Sequence, residues 1–476
     1  MNVDSRHLRA LVGLTHSLRA RCLLTACLAC MLTLACVVSA SAAASGKQVW
    51  VKTYGSEAEG ARGTAVATGP GGAVYTAGSI GEDLLLIRYD ADGSCAWAVP
   101  YHNAAGASWA TALAVDSEGN VLVGGEIAYY PLHTDMLLLK YSPAGTLLWD
   151  RLYDGPASSV DYVNAIAVDP ARNLYAVGPS WSTSSATGVA LLKYSTDGDQ
   201  EWVTRIDPGP ASPGVSDFSA GDIALDATGN VYVAGSLDKR PSGSYLGYWS
   251  AVTWKFAPSD GHQLKQAVYS GLAAKPALMD GANENAIAVR GSCVVVSGGV
   301  TRGATTDALV IRYDLNLKRQ SLFRYHRANT RIYASDVALD AKGCALVTGT
   351  ATPNGGGSHL VSGCQTIKLT PKGKVVWSKL YKPKGQAAGG NRLALDASGN
   401  VYLAGYRQTH TTDKDLLVLK YSSAGAMKWA KVWQGTGDSE DQAEDLALQG
   451  DALYVAGFSH PAFGDDLWSV LAKYTP

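Results

Sequence analysis

Phenylalanine and methionine are scarce, with 5 of each against 24 tyrosines and 12 tryptophans. That balance, with 52 glycines, argues against helical packing and for short strands joined by tight turns. Neither sign of charge dominates: 40 basic and 41 acidic residues leave a formal net charge of -1 without long blocks. Charge therefore gives no case for nucleic acid or anionic lipid as a partner. Beyond Val38 no apolar run is long enough to span a bilayer. Beyond residue 45 there is no Cys-x-x-Cys or Cys-x-x-His spacing, no His-Glu-x-x-His, no Gly-x-Ser-x-Gly elbow and no phosphate-cradling glycine loop. Zinc sites of those spacings and the common hydrolase motifs are thereby excluded, and neither a metal, a cofactor nor a catalytic residue is expected.

What is present begins at the N-terminus. Arg6, Arg9, Arg19 and Arg21 precede an apolar run from Cys22 to Val38, and small residues follow from Ser39 to Ser45. Residues 1–44 read as a secretory signal peptide cut near Ala42 or Ala44. A membrane anchor is the rival, but the run of 17 residues is at the short limit for spanning. Leu24-Thr25-Ala26-Cys27 has the letters of a lipoprotein box, yet only two residues separate it from Arg21. The expectation is a secreted or cell-surface protein, not inserted in the membrane after cleavage, with Cys95, Cys293, Cys344 and Cys364 as isolated thiols.

Residues 45–476 repeat one plan eight times. In the copy at 222–255 a short strand (Asp222 to Leu225) leads through Asp226-Ala-Thr-Gly-Asn230 into Val231-Tyr-Val-Ala-Gly235, and a longer loop leads to a third strand closed by Lys255. A glycine closes the second strand in every copy, at 78, 125, 178, 235, 298, 349, 405 and 457. Lys or Arg closes the third strand in every copy, and most copies carry a Trp on a fourth, as at Trp97, Trp149 and Trp202. Spacings of 47 to 63 residues suit four strands per unit. The basic residue is expected to lay its stem over the strand with its charge at the rim, and the Trp to pack between units. An Ala on each first strand, such as Ala67 and Ala114, is expected to leave room where the units converge. The Asp of each turn bonds the turn backbone rather than calcium, and the acidic run Asp438 to Asp445 reads as a solvated turn.

The chain stops after a third strand, at Tyr474, and its missing fourth strand stands at the other end, around Trp50. The predicted fold is therefore all-β: an eight-bladed β-propeller of four-stranded antiparallel blades, closed by an N-terminal strand that completes the last blade.

Asp-x-x-Gly-Asn-Val-Tyr-Val-Ala-Gly followed by Leu-Leu-x-Lys-Tyr-x-x-x-Gly-x-x-x-Trp resembles the SBBP-type β-propeller repeat of exported bacterial proteins, over roughly residues 46 to 476. The resemblance implies a bacterial extracytoplasmic propeller from a family mostly without assigned chemistry. That family is usually seven-bladed, so the count of eight rests on the repeats of this chain. The hairpin of third and fourth strands is more distantly similar to the tryptophan-docking motif of quinoprotein dehydrogenases.

Connections after the second and fourth strands vary in length, and alternating strand direction places them all on one face. In units two to four they carry Trp109, Tyr129, Tyr130, Tyr162, Trp181, Phe218, Tyr245, Tyr248 and Trp249. Aromatic clusters suit sugar rings or protein hot spots, so the predicted activity is binding of a protein or carbohydrate ligand by a monomer, although packing of the long loops would use the same residues. The alternative is a propeller enzyme, either a quinone-dependent dehydrogenase or a carbohydrate-active enzyme. His102, His133, His262, His326, His410 and His460 are read as solvated loop residues.

Overall fold

The computed structural model describes residues 46–476 except 56–58, 130–132, 184–185, 209–214, 240–247, 272–280, 304, 355–361, 410–413, 436–439 and 461–466. Contacts divide the chain into Met1–Lys47 and Gln48–Pro476. The second unit is all-β. Its strands form successive four-stranded antiparallel meanders: sheet one spans 61–101, two 107–153, three 165–206, four 215–269, five 281–325, six 330–381, seven 387–433 and eight 441–474. Sheets five and six are further joined by one parallel bridge, Thr306 to Arg331. Sheet eight takes its fourth strand, Gln48–Tyr54, from the start of the unit, paired antiparallel to Trp468–Tyr474.

The core lies between sheets. Each of eight apolar clusters is shared by two consecutive sheets, as Leu86 and Leu137 join sheets one and two. The eighth joins Val66 and Leu85 of sheet one to Tyr454 and Leu471 of sheet eight. Because both faces are covered, the second and third strands are apolar almost throughout.

The recurrent residues have identifiable causes. Each first strand that pairs along its length carries a bulge in mid-course, as between Ala110 and Ala112. The bulge presses a carbonyl against the glycine of the second strand: a Cβ on Gly125 would lie 2.2 Å from the Trp109 oxygen, and one on Gly78 1.7 Å from that of Arg62. Gly125→Ala is accordingly expected to cost about 2–3 kcal/mol in chemical denaturation, as overpacking does. A loss below 0.5 kcal/mol would contradict this close approach. Five first-strand alanines face tyrosines: Ala67, Ala167, Ala224, Ala394 and Ala447 stand directly opposite Tyr75, Tyr175, Tyr232, Tyr402 and Tyr454, whereas Ala114, Ala288 and Ala338 face Leu122, Val295 and Leu346. In those five copies a small side chain makes room for a buried ring.

Two rings of hydrogen bonds stitch neighbouring sheets together. On the inner ring the bulge residue, or in sheet three Asn164 just before the first strand, donates to the next sheet: Thr64 to the Ala110 oxygen at 2.8 Å, Asn164 to Ala220 at 2.6 Å, Asn285 to Ala334 at 2.9 Å and Asn391 to Ala443 at 2.8 Å, with Thr111 to Val163 at 2.5 Å. At the other junctions an Asp accepts from the next sheet: Asp222 from Ile287 N–H at 3.0 Å, Asp336 from Leu393 at 2.7 Å and Asp445 from Val66 at 2.9 Å. The last of these joins sheet eight to sheet one. Asp445 is therefore no solvated turn residue, and Asp441 of the same run is fully buried.

The outer ring uses the basic residue and the Trp. Arg88 and Trp97 both donate to the Pro143 oxygen, at 3.0 and 3.2 Å, and Lys140 and Trp149 both donate to that of Thr196. The pattern recurs with Lys193 and Trp202 on Pro258, and with Lys368 and Trp377 on Ser423. In four copies the charge is thus not left at a wet rim, Lys140, Lys193, Lys255 and Lys368 being buried, whereas Arg88, Arg312, Lys420 and Lys473 stay partly exposed as expected. Lys473 of sheet eight reaches the Ala91 oxygen of sheet one at 2.6 Å. The turn Asp works as expected, Asp116 accepting from the N–H groups of Glu118 and Asn120 at 2.9 Å. Cys95, Cys293, Cys344 and Cys364 are free thiols.

Candidate functional site

Antiparallel order puts the connections after each second and fourth strand at one end of the sheets, the loop end, and the short turns at the other. Of the residues expected to gather at the loop end, Tyr130 and Tyr245 lie outside the described residues. Trp109, Tyr129, Tyr162, Trp181 and Tyr248 are half-buried, and Trp249 is 41% exposed. Phe218 is a correction. It is 3% exposed and packs edge-on against Trp254, because side chains alternate and its turn falls on the core side.

The half-buried rings of sheet two form two groups on its opposite faces rather than one continuous sector. Trp109 and Glu126 are directly paired across the first and second strands. The Trp109 indole N–H donates to the Glu126 carboxylate, and Tyr162 of the incoming chain senses the same charge. Burial pushes the Glu126 carboxyl up, partly offset by the indole bond. This group faces sheet three, as does Met136, the cross-strand neighbour of Glu126.

The second group faces sheet one. Tyr129 pairs with His133, their rings edge to face at 5.2 Å. His133 Nε2 lies 2.5 Å from Asp135 Oδ1 and 3.8 Å from Asp154 Oδ1. Neither Glu126 nor this His-Asp-Asp group was drawn from the sequence. A signal was there for Glu126, the one carboxylate to follow the second-strand glycine in any copy, but not for Asp135, since Asp83, Asp307 and Asp415 hold the same position in other copies. A cleft of about 600 Å³ lies nearby, lined by Tyr101, His102, Asn103 and Asp150, with the Tyr101 hydroxyl donating to Asp150 at 2.8 Å.

A third polar group lines the inner ring. Asp222, Asp336 and Asp445 are half-buried, and the exposed Arg392 carries a positive charge that acts on all three. Burial pushes Asp336 up to about 7, opposed by the charge of Arg392, and pushes Asp222 and Asp445 in the same direction. An acid raised on folding holds its proton longer in the native state, so its contribution is fully present below the unfolded value near 4 and is lost as pH rises through about 7. Unfolding free energies of the wild type and Asp336→Asn should therefore diverge in the variant's favour between about pH 4 and pH 8, by at most about 1.4 kcal/mol per pH unit. A constant difference across that window would rule the shift out.

No family model and no curated protein matches the sequence. Among solved structures, the chain is similar to a polysaccharide lyase, at 9% identity over 79% of this chain and 91% of that one, with a TM-score of 0.47. It is also similar to virginiamycin B lyase from Staphylococcus aureus, at 8% identity over 79% and 96%, with a TM-score of 0.42. Prolyl oligopeptidase B from Galerina marginata gives 9% identity over 86% of this chain and 55% of that one, with a TM-score of 0.45.

Proposed function

We propose that this chain is an exported, closed eight-bladed β-propeller that binds a carbohydrate or protein ligand at its loop end, through the aromatic groups of blades two to four. Closure is supported by the N-terminal strand in sheet eight and by the Asp445, Lys473 and apolar contacts between sheets eight and one. The binding reading is carried by Trp109, Glu126 and Tyr162. A half-buried indole beside a carboxylate and a phenol offers an apolar face for a sugar ring and acceptors for its hydroxyls.

A glycan and protein array with the chain from residue 45 tests this. For the strongest hit, Trp109→Ala and Trp181→Ala should each weaken affinity about tenfold, equal to ~1.4 kcal/mol, with little change in melting. Full affinity in both variants would refute the assignment. A carbohydrate-active enzyme is the second reading, because the raised carboxyl of Glu126 suits a general acid. Glu126→Gln separates the two: turnover lost with binding kept favours the enzyme.

A further inference from the structure

The sequence puts His133 and Asp135 two residues apart on the third strand of sheet two, so both side chains leave one face. Asp154 follows Tyr153, which pairs with Met136, and so stands opposite Asp135 across the two strands. Two carboxylates facing each other there repel, and the imidazole alone, when neutral, offsets neither. The three donor atoms all lie within 4.8 Å of one another. We propose that His133, Asp135 and Asp154 bind a first-row divalent cation of the zinc type.

Ligands about 2.0–2.2 Å from a tetrahedral zinc stand about 3.4 Å apart, and the 2.5 and 3.8 Å separations from Nε2 bracket that value. Small side-chain rotations complete the geometry. Side-chain exposures of 28% for His133, 10% for Asp135 and 44% for Asp154 leave an open side for water or a ligand atom. An imidazole among few donors fits zinc better than calcium, which takes 6–8 oxygens.

Each donor is held by a neighbour, as ligating groups are in metal sites. The Tyr129 hydroxyl bonds Asp135, the Ser158 hydroxyl donates to Asp154 Oδ2 at 3.0 Å, and the Ser158 backbone braces the imidazole. The molecule supplies its own contrast. His102 with Asp83, His262 with Asp260 and His326 with Asp307 are hydrogen-bonded pairs of similar length, at 2.9, 2.6 and 2.7 Å. Each has one carboxylate and a histidine at least 57% exposed. Among the described residues only the His133 group gathers three such donors.

Chelator-treated protein, dialysed and titrated with zinc chloride in a calorimeter, should take up one ion per chain with micromolar affinity. His133→Ala and Asp154→Asn should each weaken uptake at least tenfold. Tyr129→Phe, which removes a brace and no donor, should weaken it about tenfold. His262→Ala should bind as the wild type does, and calcium chloride at equal concentration should give no heat. Cobalt(II) in place of zinc supplies a visible spectrum that His133→Ala abolishes. Melting curves establish that each variant is folded, and the half-exposed Asp154 keeps the test open if His133→Ala is not. No uptake by folded wild type, or uptake unchanged in both donor variants, overturns the proposal. An equal loss in His262→Ala overturns it too, since that marks unspecific surface binding.

Discussion

A chain lacking Gln48–Tyr54 is expected to lose about 3–5 kcal/mol of stability in guanidinium unfolding. The strand contributes six paired residues to sheet eight, and half-buried Trp50, Val51 and Tyr54 pack in the clusters on either side of that sheet. Fully burying one such side chain is worth roughly 1.5–3 kcal/mol, and three half-buried ones add to that range. The deletion also leaves Trp468–Tyr474 as a bare edge of sheet eight. A synthetic peptide spanning residues 46–55, added in trans, should restore most of the loss. An unchanged unfolding midpoint in the truncated chain would falsify closure by this strand.

Lys140→Ala should cost about 3–5 kcal/mol, the range for removing one partner of a buried ion pair. The ammonium is 3.4 Å from Asp116 with both side chains buried, and it donates to Thr196 twice, at 3.0 Å to the carbonyl and 2.7 Å to the hydroxyl. Removing it leaves a buried carboxylate and a carbonyl now shared with Trp149 alone. Lys420 provides the control. It occupies the same position in sheet seven, over the Tyr402 ring at 4.9 Å, but the third and fourth strands of sheet eight, Trp468–Tyr474 and Gln48–Tyr54, are not joined by a turn that it could reach. Trp429, its tryptophan partner, has an indole nitrogen with no hydrogen-bond acceptor, for the same reason. Lys420→Ala should therefore cost about 1 kcal/mol or less, and equal losses in the two variants would contradict the stitching role.

How much of this was legible varied with the distance over which each residue acts. The strand order, the turn Asp and the exchanged N-terminal strand were readable because each depends on neighbours in sequence or on the chain ends. The partner of Lys140 was not, since its acceptor is a backbone oxygen 56 residues on. Nor was the inner alternation of Asn164, Asn285 and Asn391 with Asp222, Asp336 and Asp445, because the bulge that aims them is set by pairing. Aromatics in the loop-end connections were found by letter, but their facing was not. Phe218 turned into the core, while Trp109 and Tyr129, on adjacent strands of one sheet, face different neighbours.

Hydroxyl-radical footprinting of the chain from residue 45, with and without the strongest ligand from the array, tests the binding reading most directly. Protection should fall on Trp109, Tyr129, Trp181 and Trp249 at the loop end, with Met427 and Leu147, beside the turns at the opposite end, oxidised as before. Protection confined to the turn end, or to sheets five to seven, would contradict it.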